Sequence, residues 1–478
     1  MEEYLAKREK LLKEINDRKF SGLSFTPQEE AANETFKNML LKEKQQLKGN
    51  FFQRYTLQYK QQIEESNCFK VIRQMPKGAT LHIHFDTAND VEWFFQNLAY
   101  LPTTFYNQSN LRFRYFKNEK VAEPGYVMLS KLRDQHPDKH QFEADIKKRL
   151  QITQEEAHDL KADIWQIFEQ KIQAMWQLIL HKDYFKQYLY RVFQVFFNDG
   201  IYRIEARALL HSIFDDDLNP LPLDEEYQVY QEVINRAKKE IHPQFSYATI
   251  IQGLKQWNKE TIQKYLDESI LAKTKYPDFF IGFDLVQQED ANQPLEFYAP
   301  VLLKKQQLEQ SMGISLPYIF HGGQSLNNFS NTNIIDMILM DTKRIGHGYN
   351  LTNHAYLMEY VKENKICIEI NPMSCQILRY IHDLRLHPAK LFLNYGIPIC
   401  INPDDPGFFG VLGVSYDFYT LAIAQEFDLK DLKLCCYYSI KHSLANEEEK
   451  QHLMQLWLNN WQEFIAKFTQ QYPSVIKE

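Results

Sequence analysis

The 478-residue chain has few cysteines and no long hydrophobic run. The six cysteines are Cys68, Cys367, Cys375, Cys400, Cys435 and Cys436. Most of them lie in apolar segments, which indicates buried reduced thiols rather than a disulfide framework. No stretch approaches the ~18 consecutive apolar residues of a membrane span. We therefore expect neither a disulfide-rich scaffold nor a membrane protein.

The sequence also has no excess of positive charge. It contains 55 Lys and Arg against 62 Asp and Glu, a net charge of −7. This charge disfavours general nucleic-acid binding, which needs a basic field. The first residues, MEEYLAKREKLLKEINDRK, are highly charged and lack the apolar core of a Sec signal peptide. We expect a cytoplasmic, reducing location by default, although export by another route would leave no trace here.

The composition that is present is that of a globular protein, with 44% hydrophobic and 24% charged residues. Residues 1–74 are rich in Lys, Glu, Gln and Leu, and their apolar positions recur at helical spacing. They predict a helical N-terminal extension. Beyond Pro76, short apolar or β-branched runs alternate with longer helical stretches.

Eight short runs beyond Pro76 predict β-strands. They are residues 79–85, 202–209, 246–254, 279–286, 316–323, 344–350, 366–372 and 398–405. Eight strands separated by helices are the signature of a (β/α)8 barrel, here over residues 75–478. The first connection is much longer than the others, and its charged, turn-rich residues 101–160 predict an insertion after the first strand.

Histidine and aspartate residues fall at or near the ends of four of these predicted strands. His82 and His84 end the first strand, His321 lies on the fifth, His347 on the sixth, and Asp404 with Asp405 ends the eighth. Residues i and i+2 of a strand face the same side, so His82 and His84 point into the barrel together. In such a barrel the active site collects at the C-terminal ends of the strands.

Each of these short motifs is weak alone, but their joint occurrence in barrel order predicts a metal site. Neutral imidazole and carboxylate oxygen are suitable ligands for Zn²⁺, and a catalytic site keeps one position open for water. Three histidines and one aspartate with a water would make a five-coordinate site.

Longer motifs surround these residues. They are MPKGATLHIHFD (75–86), GFDLVQQED (282–290), FHGGQ (320–324), TKRIGHGYNL (342–351), IEINPMSCQIL (368–378), DLRLHP (383–388), INPDDPGFFG (401–410) and SYDFY (415–419). With these motifs the sequence resembles the adenosine deaminase family, and most closely its adenosine deaminase-related growth factor branch. The resemblance runs over nearly the whole chain, including the helical N-terminus.

This resemblance implies a zinc enzyme that converts adenosine or a related adenine nucleoside or nucleotide to the inosine form and ammonia. The implied zinc ligands are His82, His84, His321 and Asp404. His347 is implied to orient the attacking water and stabilise developing charge, Asp405 to hold the purine at N7, and Asp86 to lie near the ribose. In the family the N-terminal helices also mediate homodimerisation, which gives residues 1–74 an expected role.

One departure from the family pattern concerns proton transfer. The family motif H-A-G-E carries a glutamate that protonates purine N1, whereas this chain reads H-G-G-Q and places Gln324 there. Glutamine can donate a hydrogen bond to N1 but cannot transfer a proton. Three interpretations stay open: a weak or inactive natural relative, an enzyme that uses another acid, or an engineered substitution. Gly322, where the family has alanine, favours natural drift of the motif at least as much as design.

A second departure is Gln287, which stands where the family has a glycine whose backbone faces the purine. A bulky side chain there is expected to reshape the base pocket, so the substrate need not be plain adenosine. Asn371 is interpreted as a packing residue, and Glu205 and Arg207 as a buried ion pair or as substrate contacts. The alternatives to a deaminase are a catalytically inactive nucleoside-binding or signalling protein and a barrel hydrolase with another substrate.

Overall fold

The computed structural model describes residues 1–20, 22–47, 51–53, 56–88, 91–327 and 330–473. Within these ranges the strands are β1 (Gly78–His84), β2 (Thr104–Asn107), β3 (Arg112–Tyr115), β4 (Val127–Met128), β5 (Ile201–Ala208), β6 (Ser246–Leu254), β7 (Phe280–Val286), β8 (Ile319–Gly322), β9 (Arg344–His347), β10 (Cys367–Ile370) and β11 (Ile399–Ile401).

The α-helices of the same ranges are α1 (Glu2–Lys19), α2 (Pro27–Gln46), α3 (Lys60–Glu65), α4 (Asn67–Gln74), α5 (Val91–Asn97), α6 (Leu129–Gln135), α7 (Lys139–Leu150), α8 (Gln154–His158), α9 (Ile164–Ile179), α10 (Lys182–Asn198), α11 (Leu223–Glu240), α12 (Lys259–Lys275), α13 (Leu295–Met312), α14 (Asn333–Leu339), α15 (Ala355–Glu363), α16 (Pro372–Ile377), α17 (Ala389–Tyr395), α18 (Ser415–Gln425), α19 (Leu429–Lys441) and α20 (Glu447–Gln471). Short 3₁₀ helices span Phe51–Gln53, Thr56–Tyr59, Phe85–Thr87, Tyr349–Asn353 and Leu384–Leu386.

Eight parallel strands form the centre of the molecule. They make two four-stranded sheets, in the orders β1-β5-β6-β7 and β8-β9-β10-β11. Parallel bridges join the sheets at both edges, one between Ile83 and Asp404 and the other between Phe283 and Tyr318. The (β/α)8 barrel inferred from the sequence is therefore confirmed, and each of the eight predicted runs overlaps one of its strands.

The barrel strands are buried along nearly their whole length, which explains why they read as apolar runs. Every residue of β5 is buried, yet alternate positions of that strand carry Arg203, Glu205 and Arg207. Such a pattern requires that the charges pair with one another, because an isolated buried charge is very costly. Their partners lie on β5 itself, on helix α20 and on more distant barrel strands, and those of Arg207 shape the site described below.

The connection from β1 to β5 contains the segment in which the sequence predicts an insertion. It holds a small antiparallel sheet in the order β3-β2-β4, followed by helices α6 to α10. These strands have no recognisable pattern in the sequence, because they are only two to four residues long and lie among turns. Strand β3 and helix α9 lie over the C-terminal end of the barrel and contribute to its cavity.

Helices occupy the N-terminal segment, as its periodicity predicts. Helix α2 begins with a capping box in which Thr26 and Glu29 bond each other's backbone N–H, and Pro27 takes its first turn. Glu29 also accepts a hydrogen bond from Trp461 Nε1 at 2.7 Å and pairs with Lys433, which fixes α2 against α19 and α20. Of the helices described, none has the length and apolar character needed to cross a membrane.

Candidate metal centre and active site

The residues that the sequence predicts as a site lie together at the C-terminal end of the barrel. His82 and His84 stand at the end of β1, His321 on β8, His347 at the end of β9, and Asp404 just beyond β11. The other predicted residues occupy the same rim: Asp86 follows β1, Gln287 follows β7, Gln324 follows β8, and Asp405 follows Asp404.

Four of these residues form a group that can hold a metal ion. One ligand atom each from His82, His84, His321 and Asp404 lies within 4.8 Å of all the others. Asp404 Oδ1 is 3.2 Å from His82 Nε2 and 3.4 Å from His84 Nε2. His84 Nε2 is 3.3 Å from His321 Nε2.

The other ring nitrogen of each histidine is already committed to a neighbour. His82 Nδ1 lies 2.6 Å from Glu369 Oε2, and His321 Nδ1 lies 2.6 Å from Asp284 Oδ2. His84 Nδ1 lies 3.1 Å from Gln252 Oε1. Since these oxygens only accept, we assign the proton of each neutral imidazole to Nδ1. All three Nε2 atoms then present lone pairs to the same point.

Facing lone pairs require a cation between them, and the residues present fit one. Two ligands at the Zn–N distance of a tetrahedral ion are about 3.3 Å apart, which matches the observed contacts. His82 Nε2 and Asp404 Oδ1 are also buried without a hydrogen-bond partner. Buried polar atoms are nearly always satisfied, so these orphaned atoms indicate a ligand at this position.

Burial and the neighbouring charges shift the pKa values of the three histidines in different directions. Burial lowers the pKa of His84 to about 3 and that of His321 below its ordinary value, so both stay neutral. Burial also opposes the charged form of His82, but Asp404 and Glu369 outweigh burial and raise its pKa. The position at His82 Nε2 therefore attracts positive charge, which a proton or a metal ion can supply.

A buried ion network beneath the ligands holds them in place. Arg207 bonds Asp284 at 2.8 Å and Glu369 at 2.7 Å, while Arg344 bonds Glu369 at 2.6 Å. Glu205 pairs with Arg344 at 2.8 Å rather than with Arg207. Glu205 and Arg207 are therefore both in buried ion pairs, but they do not form the pair with each other that the sequence suggested. The roles of Asp284 and Glu369 were not predicted from the sequence.

A cavity of about 270 Å³ opens above the cluster. Its wall includes His84, Asp86, Gln287, His321, Gln324, His347, Asp404 and Asp405, so every predicted site residue except His82 reaches it. Burial, with the charge of Asp404, raises the pKa of Asp405 well above its usual value, which favours its protonated form. Thr87 Oγ1 donates to Asp405 Oδ1 at 2.7 Å, which holds this carboxyl group at the cavity wall.

Asn371 does more than pack, which corrects the interpretation from sequence. Its Nδ2 lies 3.2 Å from His347 Nδ1 and donates to it. This bond places the proton of His347 on Nε2, which lies 3.7 Å from Asp404 Oδ2. Burial lowers the pKa of His347 well below its ordinary value, so the ring is neutral. His347 thus presents an N–H group to the metal side of the cavity.

Comparison with known proteins places this site in a family. Residues 138–459 match the family model described as adenosine deaminase. Adenosine deaminase 2 of Dictyostelium discoideum is 30% identical over 486 residues, covering 99% of this chain and 89% of the relative. Human adenosine deaminase 2 is 30% identical, with coverages of 95% and 92%. The chain belongs to the adenosine deaminase family.

Solved structures with low sequence identity share the fold of this family member. ADAL from Arabidopsis, in complex with IMP, has a TM-score of 0.56 at 15% identity and covers 82% of this chain and 99% of its own. An amidohydrolase from Burkholderia ambifaria with bound zinc has a TM-score of 0.58 at 14% identity, with coverages of 84% and 94%.

Gln324 is the main departure of this chain from the adenosine deaminase family pattern. Its side chain is 4% exposed, and its Nε2 is buried without a hydrogen-bond partner. Its backbone N–H donates to Glu289 Oε2 at 2.8 Å, and that of Gly323 donates to Glu289 Oε1 at 3.1 Å. Glu289 therefore anchors the loop and leaves the Gln324 amide group available to a ligand in the cavity.

Gly322, the neighbouring departure, is matched to Met337 on α14. A Cβ atom at position 322 would overlap Met337 Sδ. The space that an alanine methyl group would take is therefore filled by methionine. This fit favours the interpretation that the whole motif has drifted together, rather than that Gln324 is an isolated substitution.

Replacing Gly322 with alanine is expected to destabilise the protein by about 1–3 kcal/mol through overpacking. Urea unfolding of the single variants Gly322→Ala and Met337→Ala and of the double variant measures the coupling. Removing the methionine makes room for the methyl group, so the two costs should fall short of adding by about 1 kcal/mol or more. Strictly additive costs would show that the two side chains do not compete for space.

Gln287 also stands at a position suited to glycine. Its φ is +96°, a backbone conformation that residues other than glycine rarely adopt. Its Oε1 accepts from the backbone N–H of Gln256 at 3.1 Å, which fastens the side chain to the β6 rim. This chain thus holds the turn at an energetic cost, and the glutamine side chain borders the cavity.

Proposed function

We propose that this chain is a zinc-dependent hydrolase that converts an adenine nucleoside or nucleotide to its inosine form and ammonia. The observation that carries the proposal is the convergence of three imidazole lone pairs and Asp404 at the floor of a cavity. The relatives named adenosine deaminase 2, and the ADAL complex with IMP, support purine deamination as the reaction.

The residues around the cluster can hold a purine and a water molecule in reacting positions. A zinc ion bound by His82, His84, His321 and Asp404 would lower the pKa of a water and supply hydroxide near neutral pH. The Nε2–H of His347 can orient that water and donate to negative charge that develops at C6. The carboxyl group of Asp405, which borders the cavity, can donate to purine N7 when it is protonated.

Gln324 sets the expected limit on turnover. Its amide can donate to purine N1, which supplies the acceptor that its buried Nε2 lacks. It transfers no proton, so C6 is activated less than with a carboxylic acid. The same observation favours a second candidate function, a nucleoside-binding protein that keeps the metal site but turns its ligand over very slowly.

Zinc binding tests the site without depending on activity. The purified chain is expected to bind one zinc ion, and His82→Ala is expected to lower zinc affinity more than about 100-fold, since loss of an outer partner alone costs 10–100-fold. Isothermal titration and metal analysis measure both. Zinc bound equally by His82→Ala and the parent chain would contradict the site.

The matched control is His181, which forms a second His/Asp group with Asp183 and Asp216. His181 Nε2 bonds Asp216 Oδ1 at 2.9 Å, and its Nδ1 accepts from the backbone N–H of Asp183 at the start of α10. Both ring nitrogens are therefore in use, and His181→Ala should leave zinc stoichiometry unchanged.

An activity assay distinguishes the slow enzyme from the binding protein. Chromatography measures whether the zinc-loaded chain converts adenosine or AMP to the inosine form.

We also propose that the chain is a homodimer that uses helix α1. The helix exposes Leu5, Leu11 and Ile15 by 52%, 58% and 49%, although large apolar side chains are normally sheltered. Light scattering after size exclusion is expected to give a dimer that Leu11→Glu dissociates and that Lys10→Glu leaves intact. A monomeric parent chain would contradict this assembly.

A further inference from the structure

The cavity above the metal ligands has a second polar wall, built by β3 and α9. Arg112 on β3 and Gln173 on α9 both border the cavity that His84 and His321 border. Arg112 Nη2 donates to Gln173 Oε1 at 2.7 Å, which holds the guanidinium group at this wall. Arg112 is the only arginine or lysine among the cavity-lining residues that the structure describes.

Arg112 keeps an uncompensated positive charge. In the described part of the chain no carboxylate lies within ion-pair distance of it, although Asp86 and Glu169 border the same cavity. Arg114, two residues later on the same face of β3, pairs with Glu123 and also donates to Gln177. A guanidinium has five N–H donors in a planar fork, so one bond to Gln173 leaves donors for a bidentate oxyanion.

The chemistry of the proposed reaction directs a ligand's ribose toward the outer walls. The reacting atom C6 must lie at the metal cluster. C6 belongs to the six-membered ring of the purine, whereas N9, which carries the ribose, belongs to the five-membered ring. With the base held between Gln324 and Asp405, the ribose and its substituents extend away from the ligands. Arg112 and Gln173 form part of the wall that remains.

We propose that Arg112, held by Gln173, binds a phosphate group on the ribose, so that the chain prefers adenine nucleotides to nucleosides. This inference rests on the proposed function, because it uses the purine orientation that deamination requires. The base is held at the metal cluster, and Arg112 donates charge-assisted hydrogen bonds to the phosphate oxygens. Gln173 positions the guanidinium without neutralising it.

Binding to the zinc-loaded chain tests the inference, and the slow turnover expected with Gln324 makes equilibrium titration practical. Adenosine, adenosine 5′-monophosphate and adenosine 3′-monophosphate are the probes. One of the two monophosphates is expected to bind about 10–100-fold more tightly than adenosine. Arg112→Gln should abolish that advantage and change adenosine affinity less than twofold. The preferred isomer identifies which ribose oxygen carries the phosphate.

Arg114→Gln is the matched control, because it removes an arginine from the same strand face whose charge is already paired. It should leave the phosphate advantage intact. Equal affinity for adenosine and both monophosphates, or equal losses for all three in Arg112→Gln, would overturn the phosphate site while leaving the deaminase proposal standing. If none of the three probes binds the zinc-loaded chain, the proposed function fails, and this inference fails with it.

Discussion

Gln324→Glu is expected to raise kcat/KM for deamination of an adenine nucleoside or nucleotide by about 10²–10⁴, the usual contribution of a positioned general acid. Glutamic acid has nearly the shape of glutamine, so the change restores a transferable proton without altering the volume of the cavity. The new carboxyl group would be buried and close to Glu289, and both conditions raise a carboxyl pKa. It would therefore be protonated at neutral pH, as an acid that donates to N1 must be.

The measurement is the steady-state release of ammonia or of the inosine-type product by the zinc-loaded variant. Gln256→Glu is the matched control, since Gln256 borders the same cavity and the change adds the same group elsewhere. That control should stay within about tenfold of the parent chain. If both variants remain at the parent rate while zinc is bound, the missing acid is not what limits this site, and the nucleoside-binding function is favoured.

The barrel could be predicted because its strands are recognisable in the sequence alone. Parallel strands buried on both faces read as apolar runs, and each of the eight runs, including the three-residue β11, forms a strand where expected. The metal cluster was predictable for a related reason. His82 and His84 share a strand face by their i, i+2 spacing, and Asp404 lies just beyond β11 and forms the bridge to β1.

The supporting contacts could not be predicted, because they join strands that are distant in sequence. Glu369 on β10 meets His82 on β1, and Gln252 on β6 meets His84. A sequence shows that a carboxylate sits in a buried strand, but not which histidine it orients. The bond from Asn371 to His347 is of the same kind. The cavity wall formed by β3 was not predicted either, since strands of two to four residues are too short to show a periodic pattern.

Glu369→Gln is expected to lower the free energy of unfolding by about 3–5 kcal/mol, because it removes one charge from a buried ion network. Glu369 is fully buried and contacts Arg207, Arg344 and His82. An amide cannot balance two guanidinium groups, so net positive charge would be left inside the barrel. Zinc affinity should also fall about 10–100-fold, since His82 loses the carboxylate that orients it. Urea unfolding of the zinc-free protein and zinc titration measure the two effects separately.

Glu34→Gln is the control for removing a negative charge, because Glu34 pairs with Lys37 at 2.8 Å on the surface. This variant should lower the free energy of unfolding by less than about 1 kcal/mol.

The pH dependence of the free energy of unfolding gives a further check. Burial would raise the pKa of Glu369, but Arg207 and Arg344 hold it well below its usual range. A depressed carboxyl pKa stabilises the fold fully above the unfolded value, about 4.3, and loses effect only as pH falls toward the folded value. The part of the Glu369→Gln deficit that comes from the lost carboxylate should therefore persist at neutral pH and shrink below about pH 4. A deficit that vanishes at neutral pH would show that Glu369 is not charged in the folded barrel.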